Sequence, residues 1–322
     1  MAKQEQSCPA FRTSIGGQAL IEGILMRGPE KQAIVVRSGD EIISKVEDLH
    51  PLRERHKWAG WPLIRGVVNF IDSLANGMKA LTYSASFLPE EEQDEPTKLD
   101  RWVEEKFGSE KAEKFVIGAA MVLGVALAAA LFVFLPTLLV GLIPALRQGH
   151  DSVRTLLEGV VKLVIFLLYM YGVSRMKDIR RLFSYHGAEH KTIFCYEHRE
   201  ELTVENVRKQ SRFHPRCGTS FMLVVVILSI FVFIIVNAFL HVDNTFLRML
   251  VKLLLLPIVV ALSYELNRWL GRHDDKTISR ILSWPGRQLQ HLTTNEPDDS
   301  MIEVAIESLK LVIPSVEGAD AY

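Results

Sequence analysis

The sequence predicts a mainly α polytopic membrane protein, with four transmembrane helices, a small N-terminal β-meander and cytoplasmic helical segments. Three observations carry this. First, of 322 residues 48% are hydrophobic and 23% charged, with a mean hydropathy of +0.15, too apolar for a soluble domain and too charged for a bare bundle. Second, the apolar residues gather in four blocks, at about 116–143, 155–174, 219–240 and 246–266, each long enough as a helix to cross a hydrocarbon core of about 30 Å. Third, basic residues concentrate in three places: Lys98 to Lys114, the loop from Arg175 to Arg216, and the tail from Arg268 to Arg287. The connections at 144–154 and 241–245 carry few. The positive-inside rule then expects both termini and the 175–218 loop in the cytoplasm.

The chain divides into a β-meander region (1–57), an amphipathic helix (58–88), an acidic linker with a charged helix (89–114), a first pair of spans (115–174), a cytoplasmic loop (175–218), a second pair of spans (219–266) and a C-terminal tail (267–322). The start, Met1-Ala-Lys-Gln-Glu-Gln-Ser7, is polar and leads into no apolar signal region, so the first span is expected to engage the insertion machinery itself. The meander is expected as strands at Gln18 to Met26, Gln32 to Arg37 and Glu41 to Val46, separated by Gly-Pro and Gly-Asp turns. Three short strands bury little alone, so they are expected to pack on the loop domain or on membrane-proximal helices.

A helix from about 63 to 87 follows, with Val67, Ile71, Leu74, Met78 and Leu81 on one face, suited to the cytosolic domain or to the membrane interface. Pro89 to Pro96 reads as a solvated acidic linker, and Leu99–Phe107 as a charged helix. The first span opens at Ser109 as a cap. Its Gly118 and Gly124 suit close helix packing, Pro136 a kink and Pro144 a stop. Glu158, Lys162, Arg248 and Lys252 fall toward the outer ends of their spans. There the cations are expected to snorkel and Glu158 to pair with Lys162; a substrate or ion path is the sharper alternative. Trp269 and Trp284 suit interfacial anchors, and a short amphipathic helix is expected to run through Lys310.

The net charge of −1 points to no general affinity for nucleic acid. The three cysteines, Cys8, Cys195 and Cys217, are all expected in the cytoplasm, as thiols or ligands rather than disulfides.

The chemistry-bearing motif is His186-Gly-Ala-Glu-His190. On a helix turning about 100° per residue, His186 and His190 lie roughly 40° apart on one face, with Glu189 about 60° to the other side of His186. Two imidazoles can hold zinc while a neighbouring glutamate serves as base toward water. Cys195 and His198 project away from this face, and Glu197 lies about 10 Å further along the axis. A third ligand must come from elsewhere, and His214 or Cys217 in Phe213-His-Pro-Arg-Cys-Gly-Thr-Ser220 is the candidate. The metal-ligand candidates are therefore His186, His190, His214 and Cys217, and Glu189 is the catalytic candidate. Gly187 is the residue least suited to this helix, costing about 1 kcal/mol relative to alanine.

These segments, with Gly16 to Gly23, Met26-Arg-Gly-Pro29, Pro62 to Gly66 and Glu296-Pro-Asp-Asp299, resemble the bacterial YqhQ family of uncharacterised membrane proteins. The resemblance covers nearly the whole chain and implies a metal-dependent enzyme. Within those segments Glu22, Arg27 and Arg65 also suit a turn salt bridge and a helix start near lipid headgroups. Two functions are expected on these grounds. One is a cytoplasm-facing zinc hydrolase acting on membrane peptides or lipids. The alternative is a non-catalytic accessory or scaffold in membrane-protein insertion or quality control, with a membrane-protein partner or a second copy. A transporter is third, and four spans would need to oligomerise to enclose a path.

Overall fold

The computed structural model describes residues 11–50, 52–88, 108–144, 151–240, 242 and 244–321. The acidic run, the helix expected at Leu99–Phe107 and Cys8 lie outside them. Four strands, β1 (Gly16–Leu20), β2 (Gly23–Arg27), β3 (Lys31–Ser38) and β4 (Glu41–Asp48), form an antiparallel meander in that order. The single first strand expected at Gln18 to Met26 is in fact two, because Glu22 adopts a φ of 51° in a tight turn that pairs Leu20 with Gly23. Its carboxylate is held there by Arg181 and by the Tyr185 hydroxyl, which donates at 3.1 Å.

Eleven helices are labelled among the described residues: α1 (Leu52–Arg55), α2 (Ile64–Ala85), α3 (Ser109–Ala129), α4 (Leu135–Gly141), α5 (Asp151–Val173), α6 (Lys177–Glu197), α7 (Val204–Lys209), α8 (Gly218–Phe239), α9 (Thr245–Arg272), α10 (Thr277–Thr293) and α11 (Asp299–Lys310). Four stretches are long and apolar enough to cross a membrane: Phe115–Gly141, Ser152–Val173, Gly218–Phe239 and Thr245–Arg272. The first is α3 and α4 joined by a π turn at Ala130–Phe134, just before Pro136, whose missing N–H interrupts the helical ladder. Its helix starts at Ser109 behind Gly108, so the cap position belongs to Gly108. Gly118 and Gly124 face open space rather than a neighbouring helix. Gly159 does mediate close packing: a Cβ there would stand 2.7 Å from Ile230, where α5 meets α8.

The central strands β2 and β3 are buried on both faces, which explains their near-continuous apolar runs, whereas β4 is largely exposed. Ile24, Met26, Ala33 and Val35 pack on Tyr185, Ala188 and Ile193 of α6 and on Met301, Ile302 and Ala305 of α11. Leu20, Leu25, Ile34 and Val36 face Ala80 and Leu81 of α2. Both expected supports are therefore used. The small residues of α2 turn inward, Gly66 against Tyr264 of α9 and Ala80 against the sheet, whereas Phe70, Ile71 and Leu74 are exposed.

The expected Glu22–Arg27 turn bridge is not formed: Arg27 pairs with Asp72 at 2.5 Å. Arg65 grips Glu265 through two bonds of 2.7 and 2.5 Å, tying the start of α2 to α9. The basic residues of the spans do not snorkel. Lys162, Arg248 and Lys252 are buried inside the bundle, and Glu158 pairs with Arg154, Arg248 and Lys252 rather than with Lys162.

Candidate metal centre

The expected helix over the His186-Gly-Ala-Glu-His190 motif is α6, which runs through Gly187 without a break. Gly187 is tolerated because the chain at Asn295 crosses the helix there: a Cβ would collide with the Asn295 carbonyl oxygen. The crossing is fixed by the Asn295 N–H donating to the Phe183 carbonyl at 2.8 Å and its side-chain amide donating to the Arg180 carbonyl at 2.9 Å. Close approach here outweighs the small helix cost of glycine.

One turn apart on α6, the rings of His186 and His190 stand 4.3 Å between centroids. Each has its Nδ1 against a backbone carbonyl, Thr293 at 2.8 Å for His186 and Arg212 at 2.6 Å for His190. Those contacts make Nδ1 the protonated nitrogen of each neutral ring and leave Nε2 as the free donor atom, the arrangement usual for metal-bound histidine. Cys217 caps the N-terminus of α8, its Sγ accepting from the Thr219 N–H at 3.4 Å. The same sulfur lies 3.2 Å from His186 Nε2. The donor atoms of His186, His190 and Cys217 all fall within 4.8 Å of one another, and the three groups are buried. Donors bound tetrahedrally at about 2.0–2.3 Å sit roughly 3.3–3.8 Å apart, so the three groups form a candidate metal-binding set that would close by up to about 1 Å around an ion.

His214 lies just outside. Its ring is 5.5 Å from that of His190, but its Nδ1 accepts from the Arg216 N–H at 3.4 Å and its Nε2 faces Glu197 at 3.7 Å. Of the two candidates for the third ligand, the fold brings Cys217 to the histidine pair and turns His214 toward Glu197. Glu197, spaced too far along α6 to join, is buried and bonded to Arg216 and to the Thr13 N–H. Cys195 is buried with its thiol toward the Glu201 carbonyl, and His198 bonds the Phe194 carbonyl.

Glu189 is buried beside the cluster, where Oε1 accepts from the Gly17 N–H at 3.0 Å and Oε2 has no partner among the described residues. Gly17 is required for that approach, since a Cβ would stand 3.1 Å from the Glu189 carboxyl carbon. Burial lifts the Glu189 carboxyl above its ordinary range, an effect that His186 and His190 offset only in part. Burial also opposes charge on His186, yet the Cys217 sulfur raises its pKa to about 9. Conversely, burial pushes the Cys217 thiol up, and His186 and His190 outweigh it, holding the thiol well below its ordinary value. Burial and the Arg216 guanidinium keep His214 neutral. These directions favour the thiolate form of Cys217, the form in which sulfur ligates a metal.

Sequence reading missed the groups that orient these ligands. The carbonyls of Thr293 and Arg212 and the N–H of Gly17 belong to the backbone, which leaves no side-chain signature. Only the Gly16-Gly17 pair hinted at a close approach. Lys191 was also passed over: it is buried, donating to the Arg208 carbonyl at 3.0 Å and pairing with Glu296 at 2.8 Å.

Four of the motif segments thus meet at one place, β1 with Gly17, α6, the approach to α8 and the stretch from Thr293 to Glu296. Residues 61–315 match the family described as protein of unknown function (DUF1385). The chain belongs to this family. It is also 34% identical over 298 residues to the uncharacterized protein YqhQ of Bacillus subtilis (strain 168), covering 91% of this chain and 90% of that one. No solved structure matches it. Membership of this DUF1385 family thus bears out the sequence resemblance and assigns no reaction, so chemistry has to be argued from the cluster itself.

Proposed function

We propose that this protein is a membrane-embedded metalloprotein whose His186, His190 and Cys217 hold a zinc ion and whose Glu189 serves hydrolytic chemistry at the cytoplasmic face. The observation that carries the reading is the pair of carbonyl contacts, Thr293 on His186 and Arg212 on His190, which free both Nε2 atoms toward one thiolate. Three protein ligands leave a fourth position open, the pattern of catalytic rather than structural zinc, and bound zinc would supply Lewis acidity there. Glu189 fits the general base: it is anchored through one oxygen, leaves the other available, and has its proton affinity raised by burial. Membrane peptides and lipids are the substrate classes such a juxtamembrane site would meet.

Burial of all three ligands supports a second reading. A closed centre would clip α6 to the start of α8 and hold the cytoplasmic domain rigid as a scaffold for a membrane-protein partner. Glu189→Gln separates the two. Assayed on a panel of membrane peptides and phospholipids, a hydrolase loses activity in Glu189→Gln while keeping its zinc, whereas His190→Ala loses both. Full activity in Glu189→Gln contradicts the base role. No hydrolysis by the zinc-loaded wild type leaves the structural clip as the reading of the centre.

A further inference from the structure

The first turn of α8 is touched from two sides. Gly286 of α10 comes so close that a Cβ there would stand 2.8 Å from Ser220, and the Gln290 amide donates to the Ser220 hydroxyl at 3.0 Å. The next residue, Phe221, faces Phe70 of α2 with 6.2 Å between ring centroids. Further along α10, Leu289 and Leu292 share an apolar cluster with Phe166 and Met170 of the last two turns of α5. Gly66 of α2 fits against Ala261 and Tyr264 of α9. Both helices are therefore laid across the same end of the bundle, at the depth where its spans emerge.

Each of the two leaves an apolar face open. On α10, Ile278, Ile281 and Leu282 fall at i, i+3 and i+4 and are all exposed, Ile281 by 64%. On α2, Ile64, Ile71 and Leu74 share a face and are exposed, Ile71 by 57%. Their other faces are occupied. Ser279, Gly286, Gln290 and Thr293 of α10 are buried, while on α2 Asp72 pairs with Arg27 at 2.5 Å and Gly77 lies against Gln18 of β1. Exposed tryptophans accompany both helices, Trp58 and Trp61 ahead of α2, Trp269 ahead of α10 and Trp284 within it.

Apolar side chains gathered on one exposed face mark an interaction surface. Three observations select lipid as its occupant. The faces continue from spans that lipid surrounds, beginning where α8 enters the bilayer. Tryptophans flank them, as they do at the boundary between headgroups and acyl chains. Charge is the third: Arg272, Lys276 and Arg280 are exposed, whereas the two acids of that stretch, Asp274 and Asp275, are both met by Arg12. Such a basic edge complements anionic headgroups. We propose that α2 and α10 lie in the bilayer interface on the cluster's side, with their apolar faces against acyl chains and the basic residues around α10 on anionic phospholipid headgroups.

The same helices carry groups that orient the cluster. Thr293, the last residue of α10, supplies the carbonyl on His186 Nδ1, and α2 backs Gln18, whose neighbour Gly17 holds Glu189. The leaflet would thus seat the supports of a ligand and of the carboxylate. This placement is independent of the zinc reading, since it rests on exposed faces and not on the ligands.

The test puts the photoreactive residue benzoylphenylalanine at Ile281, at Ile71 and, as a control on the folded domain, at Glu205 of α7, three exposed positions where packing is undisturbed. The full chain is reconstituted in bilayers of phosphatidylethanolamine with a minor share of phosphatidylglycerol, illuminated, and its adducts identified by mass spectrometry. The expected result is lipid adducts at Ile281 and at Ile71 and none at Glu205. At Ile281 phosphatidylglycerol should be enriched at least about twofold over its share of the mixture, and Lys276→Gln with Arg280→Gln should abolish that enrichment. Absence of lipid adducts at either apolar position, adducts to a second protein chain in their place, or equal labelling at Glu205 overturns the interfacial placement. Phosphatidylglycerol captured only in proportion to its share overturns the assignment of the basic residues to anionic headgroups.

Discussion

Cys217 Sγ lies 3.2 Å from His186 Nε2, joining the cap of one membrane-spanning helix to the middle of a helix in the folded domain. That contact bridges 31 residues of sequence and places a sulfur where the two histidines of α6 already converge. The cluster is therefore a junction as well as a candidate ligand set. Whatever binds there couples the domain to the bundle.

Gly187→Ala is expected to destabilise the protein, against the intrinsic preference of helices for alanine. Propensity favours the change by about 1 kcal/mol, but the added methyl collides with the Asn295 carbonyl, and overpacking of this kind costs about 1–3 kcal/mol. A lowered thermal midpoint in detergent is the expected reading. A raised one would show that the Asn295 crossing yields easily.

Arg216 neutralises the buried Glu197 behind His214. With both side chains at most 7% exposed, removing one partner strands a charge, and Arg216→Ala is expected to cost roughly 3–5 kcal/mol. The double variant Arg216→Leu with Glu197→Leu should recover much of that loss. Denaturant or thermal unfolding of the two proteins side by side checks it, and equal loss in both would remove the argument.

Asp298 caps α11, accepting from the Met301 N–H at 3.0 Å. Burial opposes its charge, but the Ser300 hydroxyl and the Met301 N–H prevail, so its pKa is lowered on folding. A lowered carboxyl pKa stabilises the fold above the unfolded value of about 3.9 and loses that stabilisation as pH falls through the folded one. Asp298→Ala should cost about 1 kcal/mol at neutral pH, and its difference from wild type should shrink toward pH 3. A difference unchanged between pH 7 and pH 3 would contradict the charged cap.

The spans were legible because a long apolar block leaves little choice of structure. Three of them begin and end within a few residues of expectation, and the fourth runs on to Arg272 because Tyr264 and Glu265 continue the helix against α2. The split of the first strand was not legible: Ile21-Glu22 has no glycine or asparagine to mark its turn, and the backbone there is held by Arg181 and Tyr185 from a distant helix. Helix α10 was read as undifferentiated tail because Pro285 and Gly286 interrupt its pattern, yet Gly286 is what lets it lie on Ser220 of α8. At the site, the histidine spacing put both rings on one face of α6, while spacing could not say that Cys217 comes up to His186 and His214 faces Glu197. The charges of α5 and α9 were expected to reach out of the bundle and are instead buried in it, because sequence alone does not say which face of a helix meets its neighbours.

Metal content of the detergent-purified protein, compared with His190→Ala and Cys217→Ser, tests the central claim most directly. The expected result is about one zinc per wild-type chain, lost or sharply reduced in both variants while each stays folded. Wild-type protein without metal, even after equilibration with zinc, would contradict it.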